Sequence, residues 1–144
     1  INVTVENQGN YTETFVVAAY GNTTLIDIPT LTTLTIENST VVTFAWNTTS
    51  FDRGNYTISA YAWPVLGEND TDDNTMIDGW VLVTLSGDVD GDRDVDIFDI
   101  VRIANSYNTK EGDLGYDPNV DIDGDGDIDI FDIVIAAGNY REHW

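Results

Sequence analysis

The chain has no cysteine, a single histidine (His143), one methionine and only five Lys plus Arg residues among 144. Without cysteine there can be no disulfide, no thiolate catalysis and no cysteine-ligated zinc or iron–sulfur centre. One histidine excludes a histidine-built metal cage, and the inventory leaves no room for a catalytic triad. The few cations face 26 Asp plus Glu, a net charge of −21. Such a charge repels phosphate backbones and anionic lipid surfaces, so neither nucleic acid nor a membrane surface is an expected partner. No apolar run reaches the roughly 18 residues that a membrane-spanning helix requires, so no membrane insertion is expected. What is present is 42% hydrophobic and 11% aromatic residues, enough to bury a core, together with an abundance of carboxylate oxygen.

The acids are unevenly spread. Residues 1–86 hold 10 acids and one base, Arg53, whereas residues 87–144 hold 16 acids and four bases. This shift places a domain boundary at Ser86-Gly87. In the first domain, residues 1–86, Ile1, Val3 and Val5 alternate with polar residues, the period of a half-buried strand. Further β-type runs cover Thr14–Tyr20, Thr24–Ile28, Leu31–Ile36, Val41–Trp46, Asn55–Trp63 and Met76–Leu85, separated by turn residues such as Asn7-Gln8-Gly9-Asn10 and Gly67-Glu68-Asn69-Asp70. Short strands without helical period predict an antiparallel β-sandwich, with Trp46 and Tyr56 as large core side chains.

Three segments carry a family resemblance: Val3-Thr4-Val5-Glu6-Asn7-Gln8-Gly9-Asn10, Val41-Val42-Thr43-Phe44-Ala45-Trp46 and Gly54-Asn55-Tyr56-Thr57-Ile58. With them, most of residues 1–80 resembles the CARDB family of immunoglobulin-like adhesion modules of bacterial and archaeal surface proteins. The resemblance implies an all-β immunoglobulin-like sandwich. In it, the Val-Glu-Asn-Gln-Gly run matches the second strand of such modules, so the first strand is expected to be missing.

Asparagines in this half are phased. Asn2, Asn10, Asn22, Asn38, Asn47, Asn55 and Asn69 each open an N-x-[ST] triplet, seven of the eight Asn before position 71, and none of the five after it does. With Ser and Thr about a quarter of the segment, chance would place roughly two. The phasing points to N-linked glycans, and hence to an extracellular or cell-surface location.

The second domain, residues 87–144, contains a duplication. Asp88–Asp99 reads DVDGDRDVDIFD and Asp121–Asp132 reads DIDGDGDIDIFD, 33 residues apart; between 88–107 and 121–140, 13 of 20 positions are identical. Loop positions 1, 3, 5, 7, 9 and 12 of an EF-hand-type calcium site fall on Asp88, Asp90, Asp92, Asp94, Asp96 and Asp99, then on Asp121, Asp123, Asp125, Asp127, Asp129 and Asp132. Position 7 ligates through its backbone carbonyl, leaving the Asp94 and Asp127 side chains surplus. Clustered carboxylates repel one another by several kcal/mol in total unless a cation joins them. Oxygen-only donors in a flexible loop select Ca²⁺ over Mg²⁺. Two Ca²⁺ ions are expected. Val95 and Ile128, at position 8, are expected to bring the two loops together in a short β-like contact.

An apolar stripe follows each loop: Ile97, Ile100, Val101, Ala104 and Tyr107, then Ile130, Ile133, Val134, Ala137 and Tyr140. The spacing predicts two amphipathic helices, with Asp99 and Asp132 in their first turns. No helix precedes either loop. Residues Gly87-Asp88-Val89-Asp90-Gly91-Asp92, and Tyr116-Asp117-Pro118-Asn119-Val120-Asp121-Ile122-Asp123-Gly124-Asp125-Gly126, then resemble the dockerin modules of cellulosome-type and related surface assemblies over essentially all of 87–144. Dockerins are small α modules that bind cohesin domains on scaffold proteins and need calcium to fold. The resemblance implies the twelve aspartates as ligand positions. The sites differ at loop position 6, Gly126 in the second copy but Arg93 in the first, which predicts a weaker first site. At loop positions 10 and 11, Ile97-Phe98 and Ile130-Phe131 are either helix packing or an apolar partner-binding surface present twice.

These features predict a non-catalytic, calcium-dependent extracellular assembly or adhesion module with a protein partner, cohesin-like or another copy of itself. The alternative is a structural subunit of a glycosylated, calcium-stabilised surface filament, completed by strand exchange into the sandwich. Catalysis is not expected, because candidates among the acids outside the loops, such as Glu37 and Asp52, have no motif around them.

Overall fold

The computed structural model describes residues 1–144, which divide into two compact units, Ile1–Val83 and Thr84–Trp144. The chain is mostly β with two short helices.

The first unit has seven strands: β1 (Asn2–Glu6), β2 (Glu13–Gly21), β3 (Thr24–Leu25), β4 (Thr30–Leu34), β5 (Ser39–Thr43), β6 (Gly54–Ala62) and β7 (Thr75–Val83). All pair antiparallel. β1 and β5 form a two-stranded sheet with Val3 opposite Val42. The larger sheet runs β3-β2-β6-β7, with β4 also on β2. Val17 pairs with both Thr30 and Ala62, so β4 lies on the edge of β2 opposite β6. Val3 and Val42 of the small sheet pack on Val17, Ala19 and Ile58 of the large one, joined by Ile26 and Phe44. Two sheets therefore meet face to face around one core, a β-sandwich.

Trp46 and Tyr56 pack against this core and form a three-ring cluster with Phe51, ring centroids 5.3 to 5.7 Å apart and edge-on. The Tyr56 hydroxyl donates to the Asp52 carbonyl at 2.7 Å, closing a tyrosine corner of the kind immunoglobulin-type sandwiches use. Gly21 fits closely beside these rings: a Cβ there would lie 3.2 Å from Tyr56 and 3.4 Å from Trp46, so the rings would have to give by a few tenths of an ångström.

In the second unit, α1 (Ile97–Asn105) and α2 (Ile130–Gly138) follow the two acidic loops, and β8 (Thr109–Lys110) pairs with β9 (Asp127–Ile128). Leu85, Val95, Ile103, Val120, Ile128 and Ala136 form its core. The boundary falls at Val83–Thr84, three residues before the composition shift. The reason is packing: Leu85 is a core residue of the second unit, and Asn139 donates its side-chain N–H to the Ser86 carbonyl. Gly87 has φ +102° and an added Cβ would meet the Ala136 Cα at 2.7 Å, so only glycine fits.

Two expectations about this unit need correction. The loops do not pair with each other through position 8. Ile128 instead pairs with Thr109, just beyond α1, while Val95 exchanges hydrogen bonds with Arg141 and Glu142, just beyond α2. Each loop is thus clamped by the segment that follows the other loop's helix. The predicted helical stripes are also rotated outward. Of Ile97, Ile100, Val101, Ala104 and Tyr107 only Ile100 is partly buried, and in α2 only Ile133 is; the sides buried are Asp99 with Ile103, and Asp132 with Ala136. The loop's last carboxylate must turn back into the loop, and that fixes each helix's rotation. Residues one turn later then face the core, and the apolar stripe faces out.

Candidate functional site

Each helix begins with a reciprocal cap. The Asp96 carboxylate accepts from the Phe98 N–H at 2.6 Å, while Asp99 accepts from the Asp96 N–H at 2.8 Å. Asp129, Phe131 and Asp132 repeat the arrangement at 2.7 and 2.8 Å. These capping boxes satisfy orphan donors at the helix start and hold Asp99 and Asp132 in place. Both are fully buried. Asp99 also accepts from Val89 N–H at 2.8 Å, and Asp132 from Ile122 N–H at 2.7 Å, which tie each loop's start to its end.

The carboxylates converge. Oxygens of Asp88, Asp90 and Asp99 lie within 4.8 Å of one another, as do those of Asp121, Asp123 and Asp132, which are positions 1, 3 and 12 of each loop. A further trio, Asp94, Asp96 and Asp99, meets the first on Asp99. Asp92 and Asp125 stay outside these trios and accept from Asp94 N–H (3.1 Å) and Asp127 N–H (2.9 Å). Asp129 serves as a cap, and the Asp127 carboxylate turns to the Lys110 ammonium at 2.6 Å. In the first loop the same position behaves differently: Asp94 Oδ1 is buried without a hydrogen-bond partner. An orphaned carboxylate oxygen beside two other acids is a place where a cation fits.

Electrostatics agree with that fit. Asp90 is held above the usual carboxylate range, first by desolvation and then by Asp99, Asp92 and Asp88 nearby. Asp94 and Asp123 are raised in the same way, desolvation leading and neighbouring carboxylates adding. Asp121 departs from them. Desolvation is its largest single influence and acts upward, yet hydrogen bonds from the Tyr116 hydroxyl and the Gly126 and Gly124 amides together leave it lowered. Tyr116 in turn is pushed up to about 12, chiefly by that bond to Asp121.

Several contributors carry no motif of their own. Thr84 donates its hydroxyl to Asp88 and accepts from the Trp144 indole N–H at 2.9 Å. Trp144 N–H donates to the Arg93 carbonyl at 3.0 Å, and the Arg93 guanidinium sits 5.3 Å from the indole ring centroid. Arg93, at φ +84°, occupies the left-handed region where Gly126 has φ +88°. The one signal that could have found the clamps is the repeat itself: Asn108 and Arg141, 33 residues apart, both have positive φ, and both donate to a position-8 carbonyl.

The partner-binding candidates are all on the surface. Phe98 is 67% exposed and Phe131 61%, with Ile97 and Ile130 exposed beside them. Val101 and Tyr107 extend the first face, Val134 and Tyr140 the second. In the first unit, all seven sequon asparagines are exposed, whereas Asn7, the one other asparagine before position 71, is buried.

No family model and no curated protein matches the chain. Among solved structures it is similar to a domain of a protein from Methanosarcina acetivorans described as a cell surface protein, at 29% identity over 57% of this chain and 73% of that one, TM-score 0.46. It is also similar to chains from two interface mutants of a type II cohesin–X–dockerin complex of Acetivibrio cellulolyticus. Identities there are 20% and 18%, coverage is 90% of this chain and 81% and 83% of those, and TM-scores are 0.39 and 0.38.

Proposed function

We propose that this chain is a non-catalytic, calcium-dependent assembly module of the cell exterior, whose second unit docks the protein carrying it to a partner of the cohesin kind. One observation carries the reading. The same 33-residue offset relates two carboxylate trios and two exposed apolar helix faces, Ile97-Phe98 and Ile130-Phe131. Asp99 and Asp132 link the two features, because each belongs to a trio and also sets the rotation that turns the apolar stripe outward. Calcium would be held by Asp88, Asp90 and Asp99 in the first loop and by Asp121, Asp123 and Asp132 in the second. It would neutralise carboxylates that otherwise repel, and so fix both helix faces. Exposed Phe and Ile in pairs supply the apolar anchors that protein interfaces use. The exposed sequons support a glycosylated, extracellular setting.

The test is binding of the chain to a type II cohesin domain by calorimetry, in calcium and in chelator. Binding seen only in calcium, and lost when Phe98→Ala and Phe131→Ala are combined, is expected. Calcium that leaves far-UV circular dichroism unchanged would overturn the coupling between ion and face. Binding untouched by the double replacement would overturn the assignment of the faces.

A further inference from the structure

β1 pairs with β5 alone. Ile1 and Phe44 exchange backbone hydrogen bonds at 2.8 Å at one end of this pair, and Asn7 N–H donates to Asn38 at 2.9 Å at the other. Antiparallel alternation between these ends turns Val3 and Val5 towards β5. It leaves the N–H and C=O groups of Asn2, Thr4 and Glu6 pointing to the opposite edge, where no strand lies.

A trough runs beside that edge. A cleft of about 1000 Å³ and a smaller one of about 180 Å³ share Val3, Thr4, Ala60 and Met76 in their walls. Met76 is 60% exposed although Ala60, opposite it across β6 and β7, packs against the sandwich core. Cross-strand neighbours share a face, so the inward face of β7 at Met76 is uncovered because the small sheet stops at β1. The walls are acidic: Glu6, Glu13, Glu68, Asp70 and Asp73 line the larger cleft and Asp78 the smaller, with no Lys or Arg in either.

We infer that the free edge of β1 accepts one extended segment of a partner protein, small or apolar at alternate residues and carrying Lys or Arg at its ends. The edge supplies main-chain donors and acceptors in strand spacing, as strand addition requires. Side chains on one side of an added strand would face Met76 and Ala60, since alternate residues of a strand share a face. The acidic walls select the flanking cations. They also argue against a second copy as occupant, because each chain carries a net −21.

The experiment uses the whole chain and two synthetic peptides of alternating Val and Ser, one ending in lysine pairs and its twin in glutamate pairs. The lysine peptide should bind, and should slow amide exchange at Asn2, Thr4 and Glu6 about tenfold or more. Raising salt from about 50 to about 500 mM should weaken it about tenfold. Thr4→Pro removes an outward N–H without touching the β1–β5 bonds, and edge strands tolerate proline. It should weaken binding at least tenfold, while Thr4→Val, which equally removes the Asn2 sequon, should not. Met76→Arg, at an exposed site that cannot unfold β1, should weaken binding as well. Equal binding of the glutamate twin, or unprotected amides, would overturn the inference. So would protection of those same amides without peptide, together with sedimentation as a dimer, which would make a second copy the occupant.

Discussion

The backbone N–H of Arg141 donates to the carbonyl of Val95 at 2.7 Å, so residues beyond the second helix hold the first loop. Its counterpart 33 residues earlier, Asn108 N–H, donates to Ile128 at the same 2.7 Å. The duplication thus yields two halves that each complete the other, and neither repeat contains all of its own site.

This reciprocity separates the two loops experimentally. Trp144 packs against the second unit's core and bonds both Arg93 and Thr84, whose hydroxyl reaches Asp88. Trp144→Ala should weaken calcium binding at the first loop and leave the second loop, clamped by Thr109 and Lys110, unchanged. The half-buried ring limits the cost in stability to about 2–3 kcal/mol, below the usual range for a fully buried Trp. Two-site calorimetry reads the difference, and equal weakening at both loops would contradict the cross-clamped arrangement.

Calcium itself should bind twice per chain, and chelator should melt the helices of the second unit. Asp132→Ala should be far worse than Asp96→Ala. Asp132 is fully buried and accepts from both Ile122 and Asp129, so its loss strands two N–H groups at a cost of about 2–5 kcal/mol. Asp96 serves mainly as a helix cap, worth about 1 kcal/mol. Thermal unfolding with calcium present orders the two variants. Fewer than two ions per chain would contradict the pairing of the loops.

What was legible in the sequence follows from what each residue type can do. Alternation of Ile1, Val3 and Val5 marked β1, because only one face of that strand is buried. The aspartate spacing marked both loops, and two trios of those aspartates do converge. The helix faces were misplaced because apolar periodicity ignores Asp99 and Asp132, whose carboxylates outrank Val101 and Val134 in deciding what turns inward. The clamps left only the 33-residue offset as a trace, because Asn108 and Arg141 act through backbone groups, which any residue carries. β7 ends at Val83 rather than Leu85 because Leu85 is drawn into the other unit's core, a choice that local pattern does not encode.

The exposed helix faces allow stability and recognition to be separated. The sequence pattern left helix packing and a partner-binding surface both open for these residues, and both Phe98 and Phe131 are exposed. Phe98→Ala and Phe131→Ala should therefore change unfolding free energy by no more than about 0.5 kcal/mol each. If the faces bind a partner, either replacement should weaken that complex, and the two together should abolish it. A drop in unfolding temperature matching about 3–5 kcal/mol, as for a buried Phe, would instead assign the pair to packing.

Asn7 offers the sharpest contrast within the first unit, since of the eight asparagines before position 71 it alone is outside a sequon and alone is buried, at 6% exposure. Its amide donates to the Tyr11 carbonyl at 2.8 Å and the Leu34 carbonyl at 3.0 Å, and its oxygen accepts from Gly9 N–H at 2.9 Å. These bonds fasten the β1–β2 turn to β4. Asn7→Ala would leave two carbonyls and one N–H without their partner, and should cost about 2–3 kcal/mol, mostly the penalty for stranded polar groups. Asn10 and Asn69 are exposed and make no such side-chain hydrogen bonds, so replacing either by Gln should leave stability within about 0.5 kcal/mol. The seven sequon asparagines, and not Asn7, should carry glycan in protein from its native source, with the loop residues Asn10 and Asn69 modified most completely. Glycopeptide mass spectrometry checks the first half of this pairing and denaturant unfolding the second. Bare peptides at all seven sites would remove the support that glycans give to an extracellular location, while an Asn7→Ala variant as stable as the parent would show that the turn is held by something other than this amide.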